Sequence, residues 1–431
     1  MKIRGVIEGF YGAPWSEEAR IAVGRWCAER GMTHYVYAPK DDPKHRQRWR
    51  EPYTEDELRS LERVIEGCGL AFGFAVSPGL SIDYRDQDDR GRLLDKLDAV
   101  IARGVSLVAL LLDDIDPRPG LGEEQADLTR WLYEQLAGRI ELVLVPTEYV
   151  GVSPSPYLDA LAAVVPEEVP IGWTGAMVVN EEVTAADARA RAASLGGRAP
   201  LLWDNYPVND AVMGDSLFMG PLRGRSHELL GELGGWIANP MVQPNASLLP
   251  LASVAALLRG DDPVGAWRRE AEGLGLLEFA EACDGVTPLA LAARALAGDR
   301  AGMKAWLEAA LQSARLEGPL AEEVEPWVTQ LRAEVELCNS ALRTLEAAAD
   351  PDVDPMRVLR TAYPIMATWP RVRRGERSVL GRRFGFSPRF AQGRDATWRY
   401  DPSSLTDTDN ATDVLCRAAL DALARVGGSG A

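Results

Sequence analysis

The sequence predicts an α/β protein, a closed barrel of eight βα units followed by an all-α helical bundle. Three observations lead there. Eight short β-rich apolar runs recur through about residue 255, each succeeded by turn residues and then an amphipathic helical stretch. No glycine-rich phosphate loop comes after the first run, which sets a doubly wound open sheet behind a closed (β/α)8 TIM barrel. Beyond Leu258 the chain changes character at Arg259-Gly260-Asp261-Asp262-Pro263 and becomes rich in alanine and leucine at helical spacing.

The runs are Lys2 to Glu8, His34 to Ala38, Ala71 to Val76, Val105 to Leu112, Ile140 to Val145, Val169 to Trp173, Pro200 to Trp203 and Leu233 to Ala238. Helices such as Glu17 to Arg30, Glu55 to Cys68 and Arg90 to Arg103 alternate with them, as parallel strands require. The expected domains are a barrel over 1–258, a helical bundle over 259–370 and a C-terminal segment over 371–431. In the bundle, long helices are expected over Leu289 to Leu316 and Leu320 to Ala349, with a shorter one near Met356 to Tyr363. The final segment carries arginines with Phe384, Phe386, Phe390, Trp398 and Tyr400. It is expected to pack against protein, either between the two domains or at the barrel mouth, and ends in a disordered tail from Gly427 to Ala431.

Composition narrows the function. A hydrophobic fraction of 46% with 26% charged residues can bury a sizeable core. The formal net charge of −17 disfavours nucleic acid or an anionic membrane as partner. Five cysteines without CxxC spacing point to reduced thiols, and the start of the chain reads as a strand rather than a secretion signal, so a cytoplasmic protein is expected.

The chemistry is carried by the segments at the ends of the runs: Glu-Gly-Phe-Tyr-Gly, Pro-Lys-Asp-Asp, Asp-Asp-Ile-Asp, Pro-Thr-Glu-Tyr, Thr-Gly, Asp-Asn-Tyr-Pro-Val-Asn-Asp and Asn-Pro. Any one of these is an ordinary turn or helix cap. Their recurrence at the C-terminal strand ends, the face that carries the site in such barrels, makes them a pocket.

Asp113 and Asp114 end the fourth run. Side chains alternate along a strand, so both reach one pocket only where the strand stops and the backbone turns. Neighbouring carboxylates in a dry cleft are expected to retain one proton between them. The three histidines, His34, His45 and His227, lack metal-ligand spacing, so no metal or cofactor is expected. Glycoside hydrolysis ordinarily uses two carboxylates across the sugar, and adjacent ones suit the exception in which the substrate's own 2-acetamido oxygen attacks the anomeric carbon. Trp203, Tyr149 and Asn205 are side-chain types that would hold such a group.

These motifs closely resemble glycoside hydrolase family 84, the protein O-GlcNAcases and bacterial β-N-acetylglucosaminidases, some known as hyaluronidases. The residues are Val6 to Gly12, Tyr37 to Asp42, Leu112 to Asp116, Pro146 to Tyr149, Trp173 to Gly175, Trp203 to Asn205 with Asn209-Asp210, and Asn239-Pro240. The resemblance implies a retaining exo-β-N-acetylglucosaminidase working through an oxazoline. It implies that Asp113 orients the acetamido group and that Asp114 is general acid, then base. Lys40, Asp210, Asn239 and the Gly9 carbonyl would bind sugar hydroxyls, while Tyr149, Asn205 and Trp203 would enclose the acetamido group. The implied partner is a GlcNAc-bearing glycoprotein or glycan, and a homodimer through the helical domain is compatible with it. A hexosaminidase restricted to free oligosaccharides and a catalytically silent GlcNAc-binding protein are the alternatives.

Overall fold

The computed structural model describes residues 1–136, 138–381 and 409–428, with the backbone alone for residues 427 and 428 and for 384–386, 390–392, 398–400 and 405–407. The chain divides into two compact units, Met1–Ala211 with Pro221–Ala266, and Val212–Gly220 with Trp267–Ala431.

The first unit is the barrel. Its strands are β1 (Ile3–Glu8), β2 (His34–Tyr37), β3 (Ala71–Val76), β4 (Leu107–Leu111), β5 (Glu141–Val145), β6 (Gly172–Trp173), β7 (Leu201–Asp204) and β8 (Gly235–Ala238). They form one parallel sheet in the order β5-β4-β3-β2-β1-β8-β7-β6. A parallel bridge between Leu144 and Ile171 draws β5 to β6 and all but closes the barrel. All eight expected runs contain a strand, but the sixth is two residues long rather than five. Pro170 has no N–H to give a ladder, and only its carbonyl is used, accepting from the Leu144 N–H at 3.0 Å.

Alternate residues fill the interior. Ile3, Ile7, Val36, Ala75, Leu107, Ala109, Leu111, Val143, Val145, Leu201, Trp203 and Ile237 make one buried cluster, with Tyr149 packed against it. This period of two is the pleat itself, so each strand that feeds the core at one residue must turn the next outward to the helices. Those helices start where capping residues allow. Ser16, Thr54 and Asp86 cap α1 (Glu17–Glu29), α2 (Glu55–Cys68) and α3 (Gln87–Ile101) by accepting from first-turn N–H groups. After α4 (Leu121–Leu136), Ser155 and Thr184 do the same for α5 (Pro156–Val164) and α6 (Ala185–Ser194). A short α7 (His227–Leu230) and α8 (Pro244–Arg259) complete the ring.

The loop between β2 and α2 is held from several sides, and it carries residues of the site. Asp42 accepts from the hydroxyls of Tyr37 at 2.9 Å and Tyr53 at 2.6 Å. The buried Lys96 ammonium of α3 donates to the Lys44 carbonyl at 2.9 Å. His45 is fully buried with Nδ1 2.9 Å from the Ala75 carbonyl.

The second unit contains most of α9 (Pro263–Gly273), which begins in the first, then α10 (Leu277–Asp284), α11 (Val286–Leu296), α12 (Arg300–Ser313), α13 (Pro319–Ala348), α14 (Pro355–Val372) and α15 (Ala411–Gly428). Strands β9 (Phe384–Phe386) and β12 (Leu405–Asp407) pair antiparallel, as do β10 (Phe390–Gln392) and β11 (Trp398–Tyr400). The single helix expected over Leu289 to Leu316 is two, because Gly298 takes a φ of 121° and Asp299 starts α12 by accepting from the Gly302 N–H. The short helix expected near Met356 to Tyr363 runs on to Val372 through Pro364 and Pro370. Burial of Val358, Ala362 and Ile365 on one face outweighs the backbone bonds those prolines forfeit. The side chains of residues 382–408 lie outside the described residues, as do residues 429–431 of the expected tail, whose first two residues, Gly427 and Gly428, end α15 instead of being disordered. Val212–Gly220 leaves the barrel sequence after β7 and joins this unit, where Trp327 Nε1–H donates to the Asp215 carbonyl at 2.8 Å and Trp267 Nε1–H to that of Met219 at 2.7 Å.

Burial, and the Lys40 charge next, push the His45 imidazole down to about 3. Its folded pKa lies below the unfolded value near 6.5, so the stability it contributes is complete above pH 6.5 and drains away as pH falls toward 3. Replacing His45 by Gln removes that titration. The loss of unfolding free energy between pH 7 and pH 5, measured by urea denaturation, should be smaller in His45→Gln than in the parent by about 2 kcal/mol.

Candidate active site

Every side chain singled out from the sequence lies at the C-terminal end of a barrel strand or in the loop just after it. Leu112 still pairs, its N–H donating to the Val145 carbonyl at 2.8 Å, and the chain then breaks away. Asp114 adopts a φ of 53°, the left-handed region that a residue with a Cβ rarely occupies. This turn lets two consecutive aspartates serve one pocket.

Their surroundings differ. Asp113 is buried, and its Oδ2 is ion-paired with the buried Lys40 ammonium at 2.5 Å. Its Oδ1 is equally inaccessible and finds no hydrogen-bond partner among the described residues. Asp114 is a third exposed. Its Oδ1 accepts from the Tyr149 hydroxyl at 2.8 Å and its Oδ2 from the Tyr11 hydroxyl at 2.8 Å. Burial pushes the Asp114 carboxyl up, but the Lys40 charge, the two phenol hydrogen bonds and the Arg46 guanidinium together hold it below the usual carboxylate range. Mutual repulsion, the effect expected of the adjacent pair, is therefore not what governs the Asp114 carboxyl in the unliganded protein. Two cations and two hydroxyl donors outweigh one neighbouring carboxylate.

The other wall is built by β1, β7 and β8. Trp203 Nε1–H donates to Asn205 Oδ1 at 2.9 Å, and Asn239 Nδ2–H to the same oxygen at 3.0 Å. Asn239 Oδ1 in turn accepts from the Gly9 N–H at 3.2 Å. Asn205 Nδ2–H is anchored on the Val178 carbonyl at 2.8 Å, so both ends of this amide are committed. The Lys40 ammonium stands 5.8 Å from the centre of the Trp203 ring and 6.0 Å from that of Tyr11. Asp210 Oδ2 accepts from the Tyr11 N–H at 2.7 Å, and burial holds the Asp210 carboxyl above its ordinary range.

Supporting pairs beneath this layer were not foreseen from the sequence. Glu8, fully buried at the end of β1, accepts from Arg20, the Tyr35 hydroxyl and the Trp15 N–H. Asp204 is locked to Arg225 at 2.8 Å. Arg46 reaches both Tyr11 and Asp114. Glu8 and Asp204 sit inside the strand-end motifs, where a charge in an otherwise buried strand was a usable signal. Arg46 gave none, since its partners are 35 and 68 residues away.

A parallel βα barrel that gathers carboxylates, a lysine and aromatic rings at the C-terminal strand ends belongs to the class of barrel proteins that carry their active site on that face. A protein-family model described as beta-N-acetylglucosaminidase matches residues 4–275. The O-GlcNAcases of rat and mouse are each 35% identical over 269 residues, a stretch covering 58% of this chain and 29% of theirs, so the match spans under a third of those relatives. Among solved structures, a point mutant of the Thermobaculum terrenum O-GlcNAc hydrolase aligns over 98% of this chain and 94% of its own, at 24% identity and a TM-score of 0.82. CpGH84B aligns over 88% and 75%, at 25% identity and a TM-score of 0.78. The chain belongs to the beta-N-acetylglucosaminidase family, glycoside hydrolase family 84.

Gly9 is a sharp structural test of this site. A Cβ there would fall 2.4 Å from Cζ2 of Trp203, so alanine must displace the indole or the β1 loop. Displacements of about 1 Å at such sites cost on the order of 100-fold in rate. Gly9→Ala should lose kcat/KM on an aryl N-acetylglucosaminide by about that factor, and the overpacking should lower stability by about 1–3 kcal/mol in urea denaturation.

Proposed function

We propose that this protein is a retaining exo-β-N-acetylglucosaminidase that uses the substrate's 2-acetamido group as nucleophile and removes O-linked GlcNAc from proteins or GlcNAc from intracellular glycan fragments, in the cytoplasm. The observation that carries it is Asp113 Oδ1. A buried carboxylate oxygen without a donor is costly, by about 1–3 kcal/mol or more for a charged group, and calls for an explanation. An acetamido N–H supplies the missing donor, while Lys40 keeps the other oxygen occupied.

The chemistry is then a sequence of two displacements. With its N–H on Asp113, the acetamido carbonyl oxygen becomes more nucleophilic and attacks the anomeric carbon from below the ring. The bond from that carbon to the leaving oxygen breaks, and the oxygen takes the Asp114 proton. The first product is an oxazolinium; its N–H proton passes to Asp113, leaving an oxazoline enclosed by Trp203, Tyr149 and Asn205. Water then attacks the same carbon and gives its proton to Asp114, while Asp113 returns its proton to the nitrogen as the ring reopens, so two inversions restore the β configuration. Lys40, Asp210, Asn239 and the Gly9 carbonyl hold the sugar hydroxyls.

Asp114 must be protonated to begin, yet its carboxyl is held low without substrate. Tyr149 reconciles the two. Its hydroxyl has one hydrogen, which it gives to Asp114 in the free protein. When the acetamido group takes that hydrogen bond, Asp114 loses a donor that favours its ionised form and its proton affinity rises. The alkaline limb of kcat, which reports the bound state, should therefore lie at higher pH than that of kcat/KM, which reports the free protein. Coincident limbs would remove Tyr149 from this role.

Two further measurements test the assignments. Asp114→Asn should harm aryl glycosides with poor leaving groups far more than those with good ones, because a low-pKa phenol departs without help. A thiazoline mimic of the oxazoline should bind at least ~100-fold more tightly than N-acetylglucosamine, as an analogue near the transition state does. Isolation of a covalent glycosyl-aspartate would sink the acetamido mechanism.

A further inference from the structure

Arg46 is nearly buried, and it grips one aspartate in two ways. Its Nη2–H donates to the main-chain carbonyl of Asp114 at 3.1 Å. Its Nη1–H donates to the Tyr11 hydroxyl at 2.9 Å, and that hydroxyl donates its own hydrogen to Asp114 Oδ2 at 2.8 Å. Nη1 stands 3.8 Å from the same Oδ2. The guanidinium thus closes a ring through the backbone and side chain of the residue whose φ of 53° is strained for anything but glycine.

We infer that Arg46 is a positioning residue for the Asp114 acid: it fixes the strained turn through the Asp114 carbonyl and fixes the carboxyl through the Tyr11 hydroxyl. The inference rests on Asp114 being the acid. A strained backbone persists only when its surroundings over-determine it, and the planar fork of an arginine is the side chain that can hold two acceptors at a set angle. Arg46 also places a positive charge beside the carboxyl. The other groups facing Asp114 are Lys40 from the same loop, Tyr11 and Tyr149 as donors, and the carboxyls of Asp113 and Asp210. Of these, Lys40 is committed to Asp113, so Arg46 is the cation that meets the Asp114 side chain directly.

The test uses Arg46→Met and Arg46→Lys, each taken through pH profiles of kcat and kcat/KM on aryl N-acetylglucosaminides with good and poor leaving groups. In Arg46→Met the alkaline limb should move to higher pH, because one of the charges that hold the carboxyl low is gone. Its loss of kcat should be at least ~10-fold greater on the poor leaving group, since a misaligned acid matters only where protonation is needed. Arg46→Lys keeps the charge but not the fork, so the limb should return to within a few tenths of a unit of the parent while the selective loss remains. An unmoved limb in Arg46→Met, or an equal loss on both leaving groups, would overturn the inference and leave Arg46 a purely structural residue. If Arg46→Met does not fold by circular dichroism, Tyr11→Phe carries the same test, because it keeps the carbonyl contact and cuts the bridge to the carboxyl. An unmoved limb there overturns the inference as well. Asp114→Asn run alongside separates the two failures. Equal loss in that variant defeats the acid assignment and this inference together, whereas selective loss there with none in Arg46→Met defeats the inference alone.

Discussion

The ion pair between Lys40 and Asp113, 2.5 Å long and shielded from water, constrains everything around it. Removing one partner of such a pair leaves an uncompensated buried charge and costs about 3–5 kcal/mol. The loop that carries Lys40 must therefore be fixed as firmly as the strand that carries Asp113. It is fixed by unlike means: two tyrosine hydroxyls on Asp42, an α3 ammonium on the Lys44 carbonyl, and a buried imidazole against β3. That Lys96 ammonium is itself desolvated enough for its pKa to fall to about 8. Such burial of charge under a loop is costly for stability, and the return is a lysine that cannot drift from its carboxylate.

From that pair comes the difference in environment between the adjacent aspartates. Asp113 is neutralised on one oxygen and left without a donor on the other, a suitable state for accepting from a neutral N–H. Asp114 lies nearer to solvent and is surrounded by donors that can be redistributed. Two identical side chains, one residue apart, acquire different surroundings because one is paired directly with a buried ammonium and the other meets two hydroxyls and a more distant guanidinium. The opposite wall shows the same economy of fixed geometry, with Trp203 and Asn239 converging on one oxygen of Asn205, and Gly9 kept small so that the indole can lie against the backbone.

The second unit obeys other rules. Its helices are set by small breaks, such as Gly298 before α12, and by apolar faces strong enough to carry α14 through two prolines. It also takes in Val212–Gly220, the residues immediately after the loop that bears Asp210. Proximity in sequence to the site and membership of the barrel are thus separate properties in this chain.

By itself the sequence determined the barrel, its eight strands and the residues at their C-terminal ends. The pleat forces a period of two on the core residues and turns gather polar groups, and both are local consequences of residue type. It also marked Asp113 and Asp114, because only a strand end can direct consecutive side chains into one pocket. Tertiary structure decided what surrounds each of the pair. Repulsion between neighbours was legible in Asp113-Asp114, but the opposing Lys40 and Arg46 charges and the Tyr11 and Tyr149 hydroxyls arrive from the ends of β1, β2 and β5. It also decided the break between α11 and α12, where one residue's φ outweighed a continuous helical pattern, and the reach of Arg46 to Asp114 across 68 positions. Electrostatic effects depend on distances in space, and a linear pattern of residue types carries those only where the chain itself sets them.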